Sequence, residues 1–452
     1  MSDRTEQNVV GLAKSEFVIP LFFFGPLVTS AVPLFTWLFI AITVVALIVP
    51  YLRRGCDWRQ LIRPTADVVA LYLVAVYVFL GTIWAADPSA ALGKSALLLT
   101  TALITFAASK AMTFLDKPQL GRATLAFAAG AFIGALFVLF ELLTDGAITR
   151  FVVNAFVWLK PASEKHAKIS HGIVMEFKAR EFSRNVAMLV FYLWPGLLAL
   201  TAIEGRARRA AYIGLFVVAV AAPVLLSDRL SSQIALVGSL LVFPLAQAWR
   251  RGVVRALVIF WCLAFALVLP LSFFAYENQL QVAPWLSKSA RHRVIIWEYT
   301  AERVFDRPWF GIGAASTPVL RKQHTAPEQP EGFVVPRSTG SHAHNLFLQA
   351  WYELGVVGVM MIAFAGVILV LGTTRLPTRT QPFAIAMIAA LFFTMTFAWS
   401  MWQAWLLCAV GLMLIYFLSA AIAGVTNGAA DLIGCGSESA KEVGRKRTEL
   451  RR

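Results

Sequence analysis

Two imidazoles and an amide stand together in Ser341-His342-Ala343-His344-Asn345, at the end of a long hydrophilic stretch and directly before an apolar run. The same stretch opens with Arg291-His292-Arg293, and Trp297 follows one helical turn later. Two further arginines, Arg184 and Arg229, sit at other boundaries between polar and apolar sequence. Guanidinium groups offer paired donors to phosphate and stay charged when partly desolvated. An imidazole titrates near neutrality and can take up a proton. If these segments meet on one side of a membrane, they form a cationic site for a phosphate-bearing substrate with a base inside it.

Each residue also has a purely structural use. Arg229 belongs to Ser227-Asp228-Arg229-Leu230-Ser231-Ser232, the whole connection between two apolar runs. There it can snorkel to lipid headgroups or pair with Asp228. His344 precedes Asn345, a residue type that caps helices, and can be no more than the neighbour of that cap. What favours binding is company: Arg184, Arg229, Arg291 and Arg293 together break the rule that outer loops are poor in cations. His342 and His344 alternate across an extended segment, so only one is expected to face a given site.

The elements that must position these residues are membrane helices. Hydrophobic residues make up 59% of the chain and charged residues 14%, which excludes an ordinary soluble domain of this length. Apolar runs of about twenty residues recur from end to end, enough to cross a hydrocarbon core of roughly 30 Å as helices; barrel strands would be half as long and would alternate. The reading is all-α and polytopic, with about twelve transmembrane helices near 17–31, 33–51, 66–85, 95–114, 123–144, 185–203, 210–227, 231–249, 256–276, 346–372, 382–401 and 404–425. Pro33 is the only punctuation in 17–51, so the first two spans are either full crossings or a re-entrant hairpin. No cleavable signal peptide is expected.

Basic residues collect in alternate loops: Arg53, Arg54, Arg59 and Arg63; Lys117 and Arg122; Arg206, Arg208 and Arg209; Arg250, Arg251 and Arg255; Arg375 and Arg379. The tail, with Lys441, Arg445, Lys446, Arg447, Arg451 and Arg452, matches them. By the positive-inside rule these segments and both termini are cytoplasmic. The net charge of +15 is then a topological signal and a contact with anionic lipid, and no nucleic-acid partner is expected. Cys56 and Cys435 fall on the cytoplasmic side and Cys262 and Cys408 within spans, so neither a disulfide nor a zinc site is expected.

The chain then divides into 1–144, N-terminal helices; 145–184, a first outer loop; 185–276, central helices; 277–345, a large outer loop; 346–425, C-terminal helices; and 426–452, a basic tail. In the first loop, Phe151 to Leu159 could lie in the membrane interface, ahead of a Lys- and His-containing stretch that ends at Arg184-Asn185. In the second, Ser289 to Phe305 reads as a helix lying along the membrane, with Val294, Ile295, Trp297 and Val304 as its apolar positions. Residues 314–340 read as an irregular lid or binding loop. The outer loops carry no Asp-x-Asp or Glu-x-Asp pair for magnesium or manganese, so no metal or other cofactor is expected. Lys110 and Glu141 lie near opposite membrane edges and make no proton path through its centre, which disfavours a transporter.

Four segments in order complete the reading: Arg293-Val-Ile-Ile-Trp297, Arg307-Pro308-Trp-Phe-Gly311-Ile-Gly313, His344-Asn345-Leu-Phe-Leu348 and Glu353-Leu-Gly355-Val-Val-Gly358. In order and spacing they resemble the shared region of bacterial O-antigen ligases and polymerases, and the likeness runs from about Arg184 to the last spans. The resemblance implies a GT-C-type glycosyltransferase of the inner membrane with a periplasmic active site and interfacial helices in its large loop. The donor it implies is O-antigen on undecaprenyl pyrophosphate, and the acceptor of a ligase is a sugar hydroxyl of lipid A-core. The family's functional residues carry over to Arg229, Arg293 and His344, with Arg184 a softer match. Arg291, His342, Asn345 and Trp297 are expected to flank the substrate. Leu230 departs from the family pattern, in which glycine often follows the short-loop arginine. The resemblance leaves one alternative, a polymerase joining undecaprenyl-linked glycans; a reading of a different class is a lipid-linked oligosaccharide transporter.

Overall fold

The computed structural model describes residues 17–53, 57–156, 159, 167–321, 337–397 and 399–424. The expectations about Arg54, Cys56, Cys435, the basic tail, residues 322–336 of the large loop and residues 160–166 of the first loop fall outside them. In chain order the helices are α1 (Val18–Ala31), α2 (Thr36–Leu52), α3 (Trp58–Ile62), α4 (Ala66–Leu80), α5 (Pro88–Ala111), α6 (Lys117–Leu143) and α7 (Ala147–Ala155). A hairpin of β1 (Ala167–Ser170) and β2 (Ile173–Phe177) follows. Then come α8 (Ser183–Leu200), α9 (Arg206–Leu226), α10 (Leu230–Ala248), α11 (Arg250–Glu277), α12 (Lys288–Val304) and α13 (Thr317–Leu320). The last three are α14 (Leu346–Gly372), α15 (Gln381–Phe397) and α16 (Ala404–Gly424).

All twelve apolar segments read from the sequence are helical, because a backbone in lipid must satisfy its own N–H and C=O groups. Nine helical stretches among the described residues have the length and composition to cross a membrane, while Val18–Ala31, Val68–Ile83 and Gln381–Phe397 are shorter apolar helices. The protein is therefore a mostly helical, polytopic membrane protein, with nine rather than twelve crossings carried by length alone. The fourteen residues of α1 rise only about 21 Å. This helix is seated on α6, where Gly130 and Gly134 leave no room for a side chain against Phe23 and Ser30. Small residues one turn apart let membrane helices approach closely.

Helix α8 runs through the middle of the protein and is buried all round. Its first turn is tied to the end of α1 by Asn185, whose Nδ2 donates to the carbonyls of Ser30 (2.8 Å) and Ala31 (2.7 Å). One core joins α8 to α1, α2, α5, α6, α9 and α16. A second joins α11, α12, α14 and α15 and includes Ala343, just ahead of α14. The apolar residues Val294, Ile295 and Val304 of α12 are buried against protein, which corrects their assignment to a membrane-facing side.

Within α14 the chain breaks at Gly355 (φ 64°, ψ −172°), a conformation open in practice only to glycine. The break frees carbonyls that the loop after α12 uses: Ile312 N donates to Tyr352 O (3.2 Å) and Gly313 N to Glu353 O (2.9 Å). In return Val356 N donates to Pro308 O (2.8 Å). The buried Glu353 carboxylate accepts from Ala315 N (2.9 Å), Thr317 Oγ1 (2.5 Å), Gln349 Nε2 (3.3 Å) and the indole of Trp402. A Cβ at Gly355 would strike the backbone of Trp309. Gly355→Ala should therefore cost about 1–3 kcal/mol from backbone strain alone, and more through the displaced loop. Thermal unfolding of the detergent-purified variant, followed by circular dichroism, should show the loss.

The segment between α7 and α8 departs from the all-α expectation. Antiparallel β1 and β2 pair Ala167 with Phe177 and Ser170 with Ile173. His171 (φ 48°) and Gly172 (φ 75°) form the turn between them. Positive φ at both positions is the type I′ form of a two-residue hairpin loop, and glycine at the second position meets half of that need without strain.

Candidate active site

Four segments carry the sequence-selected residues, and each is anchored by its own local chemistry. The turn between α9 and α10 is tightened by Gln233, whose Nε2 donates to the carbonyls of Leu225 (3.1 Å) and Ser227 (2.6 Å). This presents Arg229 as the residue before α10. Arg229 Nη2 donates to the carbonyl of Arg180 (2.5 Å), and its Nε is buried without a partner. Asp228 is not its ion-pair partner among the described residues. Burial lowers the Arg229 pKa from its ordinary value, with Glu181 pulling the other way.

Arg293 lies one turn into α12. Burial lowers its pKa too, and the positive charge of Arg229 is the next cause. A half-buried guanidinium whose charge is opposed by a second one makes a site that a dianion would relieve. A helix turns about 100° per residue, so Arg291 points roughly 160° away from Arg293 around α12. Arg291 keeps a buried, unpartnered Nε but is not directed at the same place. Arg184, at the start of α8, shares the membrane edge with Arg180 and Glu181 and makes no hydrogen bond or ion pair among the described residues.

The histidine segment is fastened to α12 at three points. Trp297 Nε1 donates to the carbonyl of Ala343 (2.8 Å), between the two histidines. Ile296 packs under Gly340 (φ 64°). Arg337 grips Glu298 through Nη2 to Oε1 (2.5 Å) and Nε to Oε2 (3.3 Å), and also reaches Glu302 (3.3 Å). Its guanidinium lies over the rings of Tyr276 and Tyr299. Neither Arg337 nor Glu298 stood out in the sequence, since nothing in a 39-residue separation marks them as a pair. Asn345 caps α14, its Oδ1 accepting from the backbone of Phe347 (2.9 Å) and Leu348 (3.1 Å).

One expectation about this segment is overturned. The two histidines do not project to opposite sides: their ring centroids are 3.9 Å apart. His344 has a left-handed backbone (φ 54°), which breaks the alternation of an extended chain. Burial, and then the charge of Arg293, press the His342 pKa down to about 4. Its Nδ1 is 3.2 Å from Ser341 Oγ, and its Nε2 is buried without a partner. The structure thus brings Arg229, Arg293, His342 and His344 together, with Trp297 and Asn345 holding the backbone between them.

A pH effect follows from the depressed His342 value. The folded state leaves this imidazole neutral where the unfolded chain protonates it, so its contribution is complete above pH 6.5 and is lost as pH falls towards 4. Hydrogen–deuterium exchange in residues 341–345 should rise across that window, and His342→Gln should flatten the response.

Residues 214–363 match the family model described as O-antigen ligase. Over 324 residues the chain is 22% identical to a protein of Rickettsia conorii whose name proposes a polysaccharide ligase, with 70% of each chain covered. The resemblance to the O-antigen ligase superfamily therefore holds. The O-antigen ligase match takes in Arg229, Arg291, Arg293, Trp297, His342, His344 and Asn345, and it includes the break at Gly355. Arg184, Arg180 and the hairpin lie ahead of it. The site's own turn-to-helix geometry, and not the family match, is what connects Arg180 to Arg229.

Proposed function

We propose that this protein is a GT-C-type glycosyltransferase that transfers O-antigen polysaccharide from undecaprenyl pyrophosphate to a sugar hydroxyl of lipid A-core on the periplasmic face of the inner membrane. The observation that carries the reading is the meeting of Arg229 and Arg293 with the paired rings of His342 and His344. Arg229 and Arg293 hold the pyrophosphate, and they gain strength as negative charge builds on it while the anomeric bond breaks. His344 takes the proton of the acceptor hydroxyl, whose oxygen forms the new bond to the anomeric carbon from the opposite face. The electron pair of the broken bond leaves with the pyrophosphate, and the anomeric centre inverts.

His342 has a different task. Kept neutral beside Arg293, it offers its open Nε2 to a hydroxyl or phosphate oxygen of the substrate. Arg291 and Arg184 serve the approach of the anionic donor at longer range. Asn345 and Trp297 act through the backbone they fix, because the Asn345 oxygen is committed to the helix end and the Trp297 N–H to Ala343. The charge stabilisation assigned here to arginine is the work a divalent cation does elsewhere, so the reaction is proposed to run without one.

Purified protein in liposomes, supplied with lipid-linked O-antigen, lipid A-core and a chelator, tests this. Lipid A-linked polysaccharide is the expected product. Longer undecaprenyl-linked chains would assign the protein to polymerisation, and strict dependence on magnesium would overturn the arginine mechanism.

A further inference from the structure

Between α6 and α8 the chain builds a small unit whose two faces differ in kind. Its inner face is fastened by polar groups. The buried Glu141, near the end of α6, accepts from the backbone N–H of Ile148 (2.8 Å) and Thr149 (3.1 Å) and from the Thr149 hydroxyl. That cap fixes the angle at which α7 leaves α6. Asn154 is bonded twice to Val174, through Nδ2 to its carbonyl (3.0 Å) and through Oδ1 to its N–H (2.9 Å). Arg150 ties the end of α6 to β2, donating to the carbonyls of Thr144 (3.1 Å) and Met175. Val153, Ala167, Val174, Phe177 and Phe182 fill the space between as a core of their own.

The other face has no such partners. Phe151 is 75% exposed and Met175 50%, and Ile148, Phe156 and Ile173 are exposed with them. Ile148 and Phe151 fall one turn apart on α7, while Ile173 and Met175 share the outer side of β2. A unit this firmly built, with its polar groups used internally, does not expose large apolar side chains because it is loose. Large apolar side chains exposed together on one small unit mark an interaction surface.

What covers it is indicated by what it continues. Ile133, Leu136, Phe140 and Leu143 are exposed at spacings of three and four along α6, one of the helices long and apolar enough to cross the membrane. This is a lipid-facing stripe, and it ends five residues before Ile148, where the apolar face of α7 takes over. Lys168, Lys178 and Arg180 are exposed around the unit, in keeping with anionic headgroups at its rim.

We propose that α7 and the β1–β2 hairpin seat their exposed apolar side chains in the lipid leaflet on the arginine–histidine side of the membrane. The seat has a consequence for the site. Arg180 follows β2 by three residues, and its carbonyl holds Arg229, so the depth of the hairpin sets the height of the cationic centre above the lipid. Reactants borne on lipids would then meet the arginines at the level of their own headgroups.

Site-directed fluorescence on the full-length protein in nanodiscs of phosphatidylethanolamine and phosphatidylglycerol tests the seat independently of any transfer reaction. In a background with all four cysteines replaced, bimane is attached at Phe151→Cys, at Met175→Cys and at His171→Cys, one at a time. An apolar face seated roughly 5–10 Å deep predicts at least about twofold quenching at 151 and 175 by lipid carrying a doxyl group near the headgroup, and little by aqueous iodide. The hairpin tip at 171 should show the reverse. Ile148→Cys and Ile173→Cys provide a second pair of exposed apolar positions on the same two elements. Iodide quenching of 151 and 175 as strong as that at 171, with no effect of the doxyl lipid, would overturn the proposal.

Discussion

His344→Gln is expected to lower the transfer rate by about 10²–10⁴-fold, the usual contribution of a positioned general base, while donor binding changes little. The glutamine keeps a polar side chain of similar reach but cannot accept the proton. Because His344 sits outside α14, with Asn345 carrying the cap, the substitution should not unwind the helix. Single-turnover transfer, with donor binding measured separately, distinguishes loss of chemistry from loss of the site. His342→Gln is the internal control. His342 is neutral above about pH 4, so removing its titration should leave in place any acid limb of the rate that belongs to His344. If His342→Gln erased that limb and His344→Gln kept near-normal transfer, the two imidazoles would have to exchange roles.

The helices were legible because each must satisfy its backbone within an apolar run, and such runs are unmistakable in a chain this poor in charge. Even α12, an element of a polar loop, was placed within a residue at each end, as Lys288–Val304 against an expected Ser289–Phe305. Its surroundings were not legible. An amphipathic pattern says that one face is apolar, and the same pattern serves a helix packed on α11 and α14 as well as one lying on lipid. The site residues were visible by type, since arginines are out of place on loops that the positive-inside rule assigns to the outer face. The geometry of the histidines was not, because alternation assumes an extended backbone and His344 leaves it. Nor could the sequence show that a main-chain carbonyl, that of Arg180, would hold Arg229, because carbonyls carry no residue type. The hairpin left a faint signal in His171-Gly172, between residues that favour strands, which a search for transmembrane runs passes over.

Arg293→Lys should lose about 10²–10³-fold in transfer rate, on the scale of removing one donor from a preorganised charge-stabilising site. The charge is kept and the geometry is lost: an ammonium is a point donor, whereas the guanidinium presents a planar fork to two phosphate oxygens. Arg293 also sits where a second positive group, Arg229, already raises the cost of its charge. A lysine in that position has an alternative that arginine lacks, because its pKa falls readily on burial and it can shed the proton. The lysine variant should therefore recover part of its rate as pH is lowered, a response opposite in sign to that of a proton-accepting histidine. Arg229→Lys should fall by a similar factor and should in addition release the carbonyl of Arg180. If both arginines grip one pyrophosphate, the double variant will lose less than the product of the two single losses, since groups that act as a unit are not additive. Strictly multiplicative losses, measured as kcat/KM in reconstituted transfer, would place the two arginines on separate parts of the substrate instead.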